Sequence, residues 1–182
     1  PAQAAAAALH GNLEALNACV ECCDRHAGDG KLALIHEDRE GNSTRHSFDQ
    51  LKAQAARFAN VLKAQGVGAG DRVAGLMPRT PELLVTILAT WRLGAVYQPL
   101  FTAFGPKAIE HRLHGSAARV VVTDRTNRAK LDDVERCPSI ITVGADPHTA
   151  DLDFHAALQG APAECPAVLL DGDAPFLLMF TS

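Results

Sequence analysis

Two hydroxyl side chains, Thr181 and Ser182, follow an apolar run at residues 176–180 (FLLMF). A continuous apolar run of this length is typical of a strand that is buried on both faces of a parallel sheet. Ligands of open α/β sheets bind outside the carboxyl ends of the strands. Hydroxyls at that position can bind phosphate together with the backbone amides of a following glycine-rich loop. These two residues therefore suggest a phosphate site, and a ragged terminus is the alternative reading.

A second candidate site is the loop Phe101-Thr102-Ala103-Phe104, which lies between a predicted strand and a predicted helix. Exposed aromatic rings at such a place can form the wall of a ligand pocket. An alternative is that both rings only cover the edge of the sheet, and the sequence favours the two interpretations equally.

The stretch CVECCDRH contains four residues that can bind soft metals. On a continuous helix, the spacing of Cys19, Cys22, Cys23 and His26 would place them on one face, where they could bind zinc. No second ligand pair follows at zinc-finger spacing, so a helix that packs small thiols inward is favoured. The histidine pair at 111 and 114 has no evident third ligand, so we predict that both side chains are exposed to solvent. We predict no metal site.

Two further motifs exclude other chemistry. Gly66, Gly68 and Gly70 do not match the G-x-G-x-x-G dinucleotide pattern, and they precede a strand, so they predict a turn from helix to strand. No G-x-S-x-G elbow occurs, which leaves a serine hydrolase without its nucleophile.

Strands and helices alternate along the chain, and this order predicts an α/β fold with a mostly parallel sheet and helices on both faces. Apolar spacing predicts a first helix over residues 13–26. A hairpin follows through the turn signal Gly41-Asn42. Ser47 and Gln50 form a capping box at the start of the next helix. The remaining predicted elements are strands at RVAGLM, AVYQPL, RVVVTD and SIITVG, and helices after Thr80-Pro81, over 106–114 and around 127–135.

Composition limits the class of protein. Apolar residues make up 47% of the 182 residues and charged residues 21%, which is ordinary for a globular protein. The net charge of −4 and the absence of a basic block give no support to nucleic-acid binding. No apolar stretch is long enough to predict a membrane span. Five cysteines, an odd number without a secreted spacing pattern, favour reduced thiols and a cytoplasmic location.

Taken together, three stretches resemble the adenylate-forming (AMP-binding) superfamily of acyl-CoA synthetases, peptide-synthetase adenylation domains and luciferases. The first runs from HSFDQL through GVGAGDRV to GAVYQPL, the second is FTAFGPKAIEHRLHGSAARVVVTD, and the third is FLLMFTS, which resembles the strand entering the loop T-S-G-T-T-G-x-P-K. The resemblance covers about residues 28–182. It implies a helical arm at 1–27 and an α/β subdomain at 28–182 that stops at the start of the phosphate loop.

The resemblance also implies the activity of the longer parent protein. Family enzymes join a carboxylic acid to ATP with magnesium, release pyrophosphate, and pass the acyl group to a thiol, usually that of coenzyme A. Thr181 and Ser182 would belong to the ATP phosphate loop. The 182 residues by themselves are expected to be inactive and to bind neither ATP nor coenzyme A tightly, and their oligomeric state is open.

The branch is suggested by the aromatic loop, which is similar to the F-G-G-F stretch near the coenzyme A adenine in acetyl-CoA synthetases. The matching residues are Phe101, Thr102, Ala103 and Phe104, with Thr-Ala in place of Gly-Gly. Arg128 or Arg125 would pair with a coenzyme A phosphate, and a surface arginine is the alternative. Two other functions stay open at this point: an adenylation domain that loads a carrier protein, and a non-catalytic α/β binding module.

Overall fold

The computed structural model describes residues 9–181, which form a five-stranded sheet of parallel strands in the order β4-β3-β5-β6-β7, with a separate hairpin β1-β2. The strands in this range are β1 Leu32–Glu37, β2 Ser43–Ser47, β3 Arg72–Leu76, β4 Val96–Pro99, β5 Val120–Asp124, β6 Ser139–Val143 and β7 Leu152–Asp153. The helices are α1 Ala18–Cys22, α2 Phe48–Ala64, α3 Pro81–Arg92, α4 Pro106–Ser116, α5 Arg125–Arg128 and α6 Phe154–Gly160, with 3-10 turns at Asp24–His26 and Ala129–Leu131. Over the described residues, none of these helices combines the length and the apolarity that crossing a membrane requires.

Helices cover both faces of the sheet, because alternate residues of its central strands point in opposite directions. Val73, Val120 and Val122 belong to a core that includes α2, α3 and α6. Ala74 and Val121 belong to a second core that includes α4. The parallel register pairs Val73 with Val120 and Ala74 with Val121, so each core is continuous from strand to strand. The predicted α/β fold with a mostly parallel sheet is confirmed.

The strand order reverses between β3 and β5, inside the sheet, because β4 lies on one side of β3 and β5 to β7 lie on the other. The chain leaves β4 and crosses over β3 before it forms β5. Such reversals are where open α/β sheets bind ligands, outside the carboxyl ends of the strands. The loop at residues 100–105 and the segment that begins at residue 125 both start at this carboxyl edge.

Several predicted helix ends are confirmed. The hydroxyl of Ser47 accepts from the Gln50 amide at 3.2 Å, and Gln50 Oε1 accepts from the Ser47 amide at 2.8 Å, which completes the capping box. Gly66, just beyond α2, has a φ of +81°, a conformation that side chains other than glycine rarely adopt. Pro81 occupies the first position of α3 after Thr80, although the Thr80 side chain makes no capping hydrogen bond.

The first helix is shorter than the sequence predicts. Leu16 exchanges backbone hydrogen bonds of 2.7 and 2.8 Å with Leu170 and so forms a bridge instead of a helical turn. Helix α1 begins only after Asn17, whose side chain accepts from the amide of Cys19. Bonds to distant backbone therefore replace local helical bonds before residue 17. Residues 1–8 of the predicted arm lie outside the described residues, and the boundary at residue 28 stays a prediction.

The helix predicted around residues 127–135 is also different. It begins earlier, at Arg125, because Asp124 at the end of β5 caps it, and it changes to a 3-10 turn at Ala129. The sequence prediction missed β7 and α6 altogether. A two-residue strand is too short to show the period of two from which strands are predicted.

Residues 176–180 are not a strand buried on both faces, which corrects the prediction. They run parallel to β4, joined by hydrogen bonds from the Tyr97 amide to the Phe176 carbonyl at 3.0 Å and from the Leu178 amide to the Tyr97 carbonyl at 2.9 Å. Phe176, Leu177 and Met179 are exposed. An apolar run is buried only where other elements cover it, and among residues 9–181 strand β4 is its pairing partner on one side.

Candidate functional site

The aromatic loop after β4 projects from the carboxyl edge of the sheet. The amide of Phe104 donates to the carbonyl of Phe101 at 2.9 Å and closes a tight turn. The two rings meet edge to face, with centroids 5.7 Å apart and an interplanar angle of 84°. Phe104 packs against the core beneath α4, whereas Phe101 is 65% exposed. Phe101 therefore does not close the sheet edge, and its ring is available to a planar ligand.

A lysine that the sequence prediction missed holds the centre of this loop. The ammonium group of Lys130 donates to the carbonyl of Thr102 and, at 3.0 Å, to Asn127 Oδ1. The Asn127 amide group in turn donates to the carboxylate of Asp124 at 2.6 Å. These contacts tie the loop after β4 to the segment after β5, while Ala103 beside Thr102 is exposed. The sequence signal for this segment was Asp124, which can cap a helix at the end of a strand. The contact of Lys130 with Thr102 could not be predicted in this way, because it depends on the order of the strands in the sheet.

Arg128 lies in this segment and is held by two carboxylates. Its guanidinium donates to both oxygens of Asp151 and to Asp132 at 2.7 Å. The hydrogen bond to Asp151 raises the pKa of Arg128, so the group stays charged. Arg125 is more exposed and donates to the carbonyl of Gly144 at 3.0 Å.

Thr181 reaches the same edge as the aromatic loop. Residues 176–178 run parallel beside β4, so Thr181 and residues 101–104 follow the carboxyl ends of neighbouring extended segments. The Thr181 side chain is exposed, and the ring of the preceding Phe180 is partly covered. Ser182 lies outside the described residues.

The candidate metal ligands of CVECCDRH do not converge. Helix α1 ends at Cys22, which is exposed, while Cys19 and Cys23 are buried. Burial raises the pKa of Cys19 to about 12 and that of Cys23 to about 11, and a protonated thiol is a poor metal ligand. Across residues 9–181, no group of three or more His, Cys, Asp or Glu residues is arranged to hold a metal ion. His111 and His114 are exposed on α4, as predicted.

Comparison with known proteins decides the family. A family model described as "AMP-binding enzyme" matches residues 21–182, which is most of the chain. The chain belongs to the AMP-binding enzyme family. The resemblance seen in the sequence is thereby confirmed, and family membership favours an enzyme over a stand-alone binding module.

Proteins similar to this chain include two acetyl-coenzyme A synthetases. The protein of Sodalis glossinidius is 35% identical over 192 residues, and acetyl-coenzyme A synthetase 2 of Pseudomonas aeruginosa is 33% identical over 190 residues. Each match covers 92% of this chain and 29% of the relative. The crystal structure of Brucella canis acyl-CoA synthetase matches with a TM-score of 0.96 at 47% identity, over 100% of this chain and 34% of that chain.

The chain thus spans about a third of the length of these family members, or less. Within that span, the structure brings the aromatic loop and Thr181 to one edge of the sheet. It also places the segment containing Arg128 next to the loop through Lys130. The binding roles of individual residues remain predictions: Thr181, Ser182, Phe101, Thr102, Ala103 and Arg128.

Proposed function

We propose that this chain forms the N-terminal portion of an AMP-forming acyl-CoA synthetase. The reaction converts a carboxylic acid, ATP and coenzyme A to acyl-CoA, AMP and pyrophosphate. One observation carries the proposal within the family: the aromatic loop at 101–104 and Thr181 lie at the carboxyl ends of adjacent parallel segments. A single edge of the sheet would then serve both nucleotide substrates.

The proposed reaction has two steps. In the first, a carboxylate oxygen of the acid attacks the α-phosphorus of ATP, and the bond to the oxygen bridging to the β-phosphate breaks, so pyrophosphate leaves with that electron pair. In the second, the sulfur of coenzyme A, having lost its proton, attacks the acyl carbon, and AMP leaves with the electron pair of the acyl–oxygen bond. Both steps are accelerated by donors that stabilise charge on the phosphate groups.

On the ATP side, we assign the hydroxyls of Thr181 and Ser182 to a phosphate group. After an extended segment, such hydroxyls would share the anion with the backbone amides of the glycine-rich loop that the resemblance implies. The exposure of the Thr181 side chain supports this assignment, because a ligand can reach it without displacing the core.

On the coenzyme A side, we assign the exposed ring of Phe101 to the adenine, with Thr102 and Ala103 beside it. Arg128 is assigned to a phosphate of the same ligand. Asp151 is nearly buried against Arg128, but the Asp132 side chain is 65% exposed. A phosphate would therefore replace Asp132 as a partner of Arg128 and leave the Asp151 pair intact.

Magnesium belongs to the reaction that the resemblance implies, but the described residues do not fit a magnesium site. Residues 9–181 contain no group of three or more acidic or histidine side chains that could hold a metal. No step is therefore assigned to a metal held by these residues.

The acid substrate is a small carboxylate, and acetate is the first to test because the relatives are named acetyl-coenzyme A synthetases.

The five cysteines are free thiols, which supports a cytoplasmic location.

The proposal is tested by comparing the full-length enzyme with the 182-residue chain. The full-length enzyme is expected to release pyrophosphate only when a carboxylic acid is present and to form a thioester when coenzyme A is added. The 182 residues alone are expected to release none. Transfer to a carrier protein instead of coenzyme A would favour an adenylation domain, and pyrophosphate release by the 182 residues would contradict the expected inactivity.

A further inference from the structure

Arg112 of α4 lies between the aromatic loop and the segment that leads to Thr181. Its guanidinium carbon is 4.2 Å from the ring centroid of Phe104 and 5.9 Å from that of Phe180. Both distances are within the range of cation–π attraction. Within the described part of the chain, no ion pair joins Arg112 to a carboxylate. The two aromatic faces are therefore the main partners of its charge.

Hydrogen bonds hold the Arg112 side chain against α4 and join the Arg112 carbonyl to a side chain of β4. Its Nη1 donates to the carbonyl of Ala108 one turn earlier in the helix, at 3.0 Å. Its own carbonyl accepts from Nε2 of Gln98, a buried residue of β4, at 3.0 Å. The hydroxyl of Ser116 donates to the other end of the Gln98 amide at 2.7 Å. Arg112 is thus anchored to the strand from which the aromatic loop emerges.

The ring of Phe180 packs against α4. A Cβ at Gly115 would lie 3.3 Å from two carbons of the Phe180 ring, so the missing side chain lets the ring approach the helix. The ring of His111, one turn earlier, meets Phe180 edge-on with centroids 6.1 Å apart. Since residues four apart share a helix face, His111 and Gly115 form one surface under Phe180. Arg112 is at the margin of that surface, where Phe104 meets it.

We propose that Arg112 is a positioning residue that couples the aromatic loop to the segment entering the phosphate site. In the function proposed above, on which this inference rests, Arg112 would keep the coenzyme A loop and the ATP loop in a fixed relation. Displacing either ring then weakens the position of the other, because both share one guanidinium group. Arg112 itself contacts neither substrate in this role.

Hydrogen exchange in the 182-residue chain tests the structural part of the proposal. The amides of Phe104 and Leu178 each donate a 2.9 Å hydrogen bond, one within the aromatic loop and one to β4. The variant Arg112→Met keeps the length of the side chain and removes the cation. It is expected to speed exchange at both amides by about threefold to thirtyfold, the range that one cation–π contact supports.

The matched control is Lys107→Met, which removes a cation from an exposed position on the same helix. It is expected to leave both amides unchanged. Faster exchange at only one amide, or at neither, in Arg112→Met overturns the coupling. If Arg112→Met also speeds exchange in the core strand β5, the variant Arg112→Lys is measured instead. Exchange near the unmodified rate at both amides supports the proposal. Faster exchange at only one of the two amides overturns it.

Kinetics of the full-length enzyme test the functional part. Arg112→Met is expected to raise the KM for ATP and the KM for coenzyme A together, each by about threefold to thirtyfold, with Arg112→Lys closer to the unmodified enzyme. A rise in only one KM overturns the coupling role. An unmodified enzyme that forms no acyl-CoA would refute the proposed function, while the exchange result would still judge Arg112.

Discussion

At the scale of single residues, the partners of a side chain decide what it can do. Arg125 and Arg128 lie three residues apart and look equivalent in the sequence. In the structure, Arg128 neutralises the nearly buried Asp151, which also accepts a hydrogen bond of 2.7 Å from the Thr142 hydroxyl. Arg125 donates to a backbone carbonyl at the surface. One arginine thus stabilises the fold, and the other makes no comparable contact.

Replacing these two arginines separately should distinguish them. Arg128→Met leaves the Asp151 carboxylate without its cation, and we expect the free energy of unfolding to fall by about 1–3 kcal/mol. Arg125→Met should change it by less than about 0.5 kcal/mol, as is usual for surface substitutions. Urea unfolding at constant pH measures both values. Equal losses in the two variants would contradict the structural role of Arg128.

The buried thiols predict a pH dependence. The pKa of Cys19 is raised from 9.0 to about 12 by burial, so the folded state holds this proton more tightly than the unfolded state. The stability linked to Cys19 is therefore fully present below about pH 9 and is lost as the pH rises from 9 towards 12. The urea midpoint of unfolding should fall between pH 8 and pH 10, and this fall should be larger in the unmodified chain than in Cys19→Ala.

Lysine and tyrosine side chains also titrate in this pH range, in the unmodified chain and in Cys19→Ala alike. The quantity to compare is therefore the difference between the falls in urea midpoint of these two proteins. Cys22→Ala is the comparison: burial also raises the pKa of Cys22, but this residue is exposed, so the fall in its variant should lie closer to that of the unmodified chain than the fall in Cys19→Ala. Parallel curves for the unmodified chain and Cys19→Ala would show that burial of this thiol does not affect alkaline stability.

At the scale of elements, strand β3 depends on one close approach. Gly75 lies beneath the ring of Tyr97 from β4, and a Cβ at position 75 would stand 2.3 Å from Tyr97 Oη and 3.0 Å from two ring carbons. Tyr97 is buried, and its backbone pairs with residues 176–178 on its other side. Because Tyr97 is buried, its ring has little room to move away from an added Cβ.

Gly75→Ala should accordingly destabilise the chain. We expect a loss of about 1–3 kcal/mol, the usual effect of overpacking a core. Gly160→Ala is the matched control, because nothing lies within 4 Å of its added Cβ at the end of α6. The control should be neutral or slightly stabilising, since alanine favours helix. Thermal unfolding of both variants makes the comparison, and a Gly75→Ala chain as stable as the control would refute the close approach.

At the scale of the whole molecule, the sheet ends in an apolar outer segment. Phe176, Leu177 and Met179 are exposed along the segment beside β4, with Met179 66% accessible. An exposed extended segment with apolar side chains tends to pair with other chains. The chain covers 34% of the Brucella canis structure that it matches.

We expect the 182-residue chain to associate as its concentration rises. The double variant Leu177→Lys, Met179→Lys should remain monomeric over a wider range, because charges on an edge segment oppose pairing. Ile35→Lys, a change at an apolar residue of the hairpin that is also exposed, is the control and should associate like the unmodified chain. Sedimentation velocity at several concentrations measures this. Association that is unaffected by the double variant would place the contact elsewhere.

The sequence by itself determined the alternation of strands and helices, the capping box at Ser47, and the family. These are local or ordered features: the period of apolar residues, a three-residue spacing, and motifs in a fixed order. It also located the aromatic loop and Thr181, because both follow strand-like runs. It did not reveal that both lie at the same edge of the sheet, since the runs are separated by more than 70 residues along the chain.

Only the tertiary structure decided which strands are neighbours, and the arrangement of the candidate site follows from that. The order β4-β3-β5 brings Lys130 to Thr102, and the pairing of residues 176–178 with β4 brings Phe180 to Arg112. The same pairing leaves Phe176, Leu177 and Met179 exposed, although their composition predicted burial. Apolarity states what a segment can bury, whereas its neighbours in the fold decide whether it is buried, and sequence spacing carries no record of those neighbours.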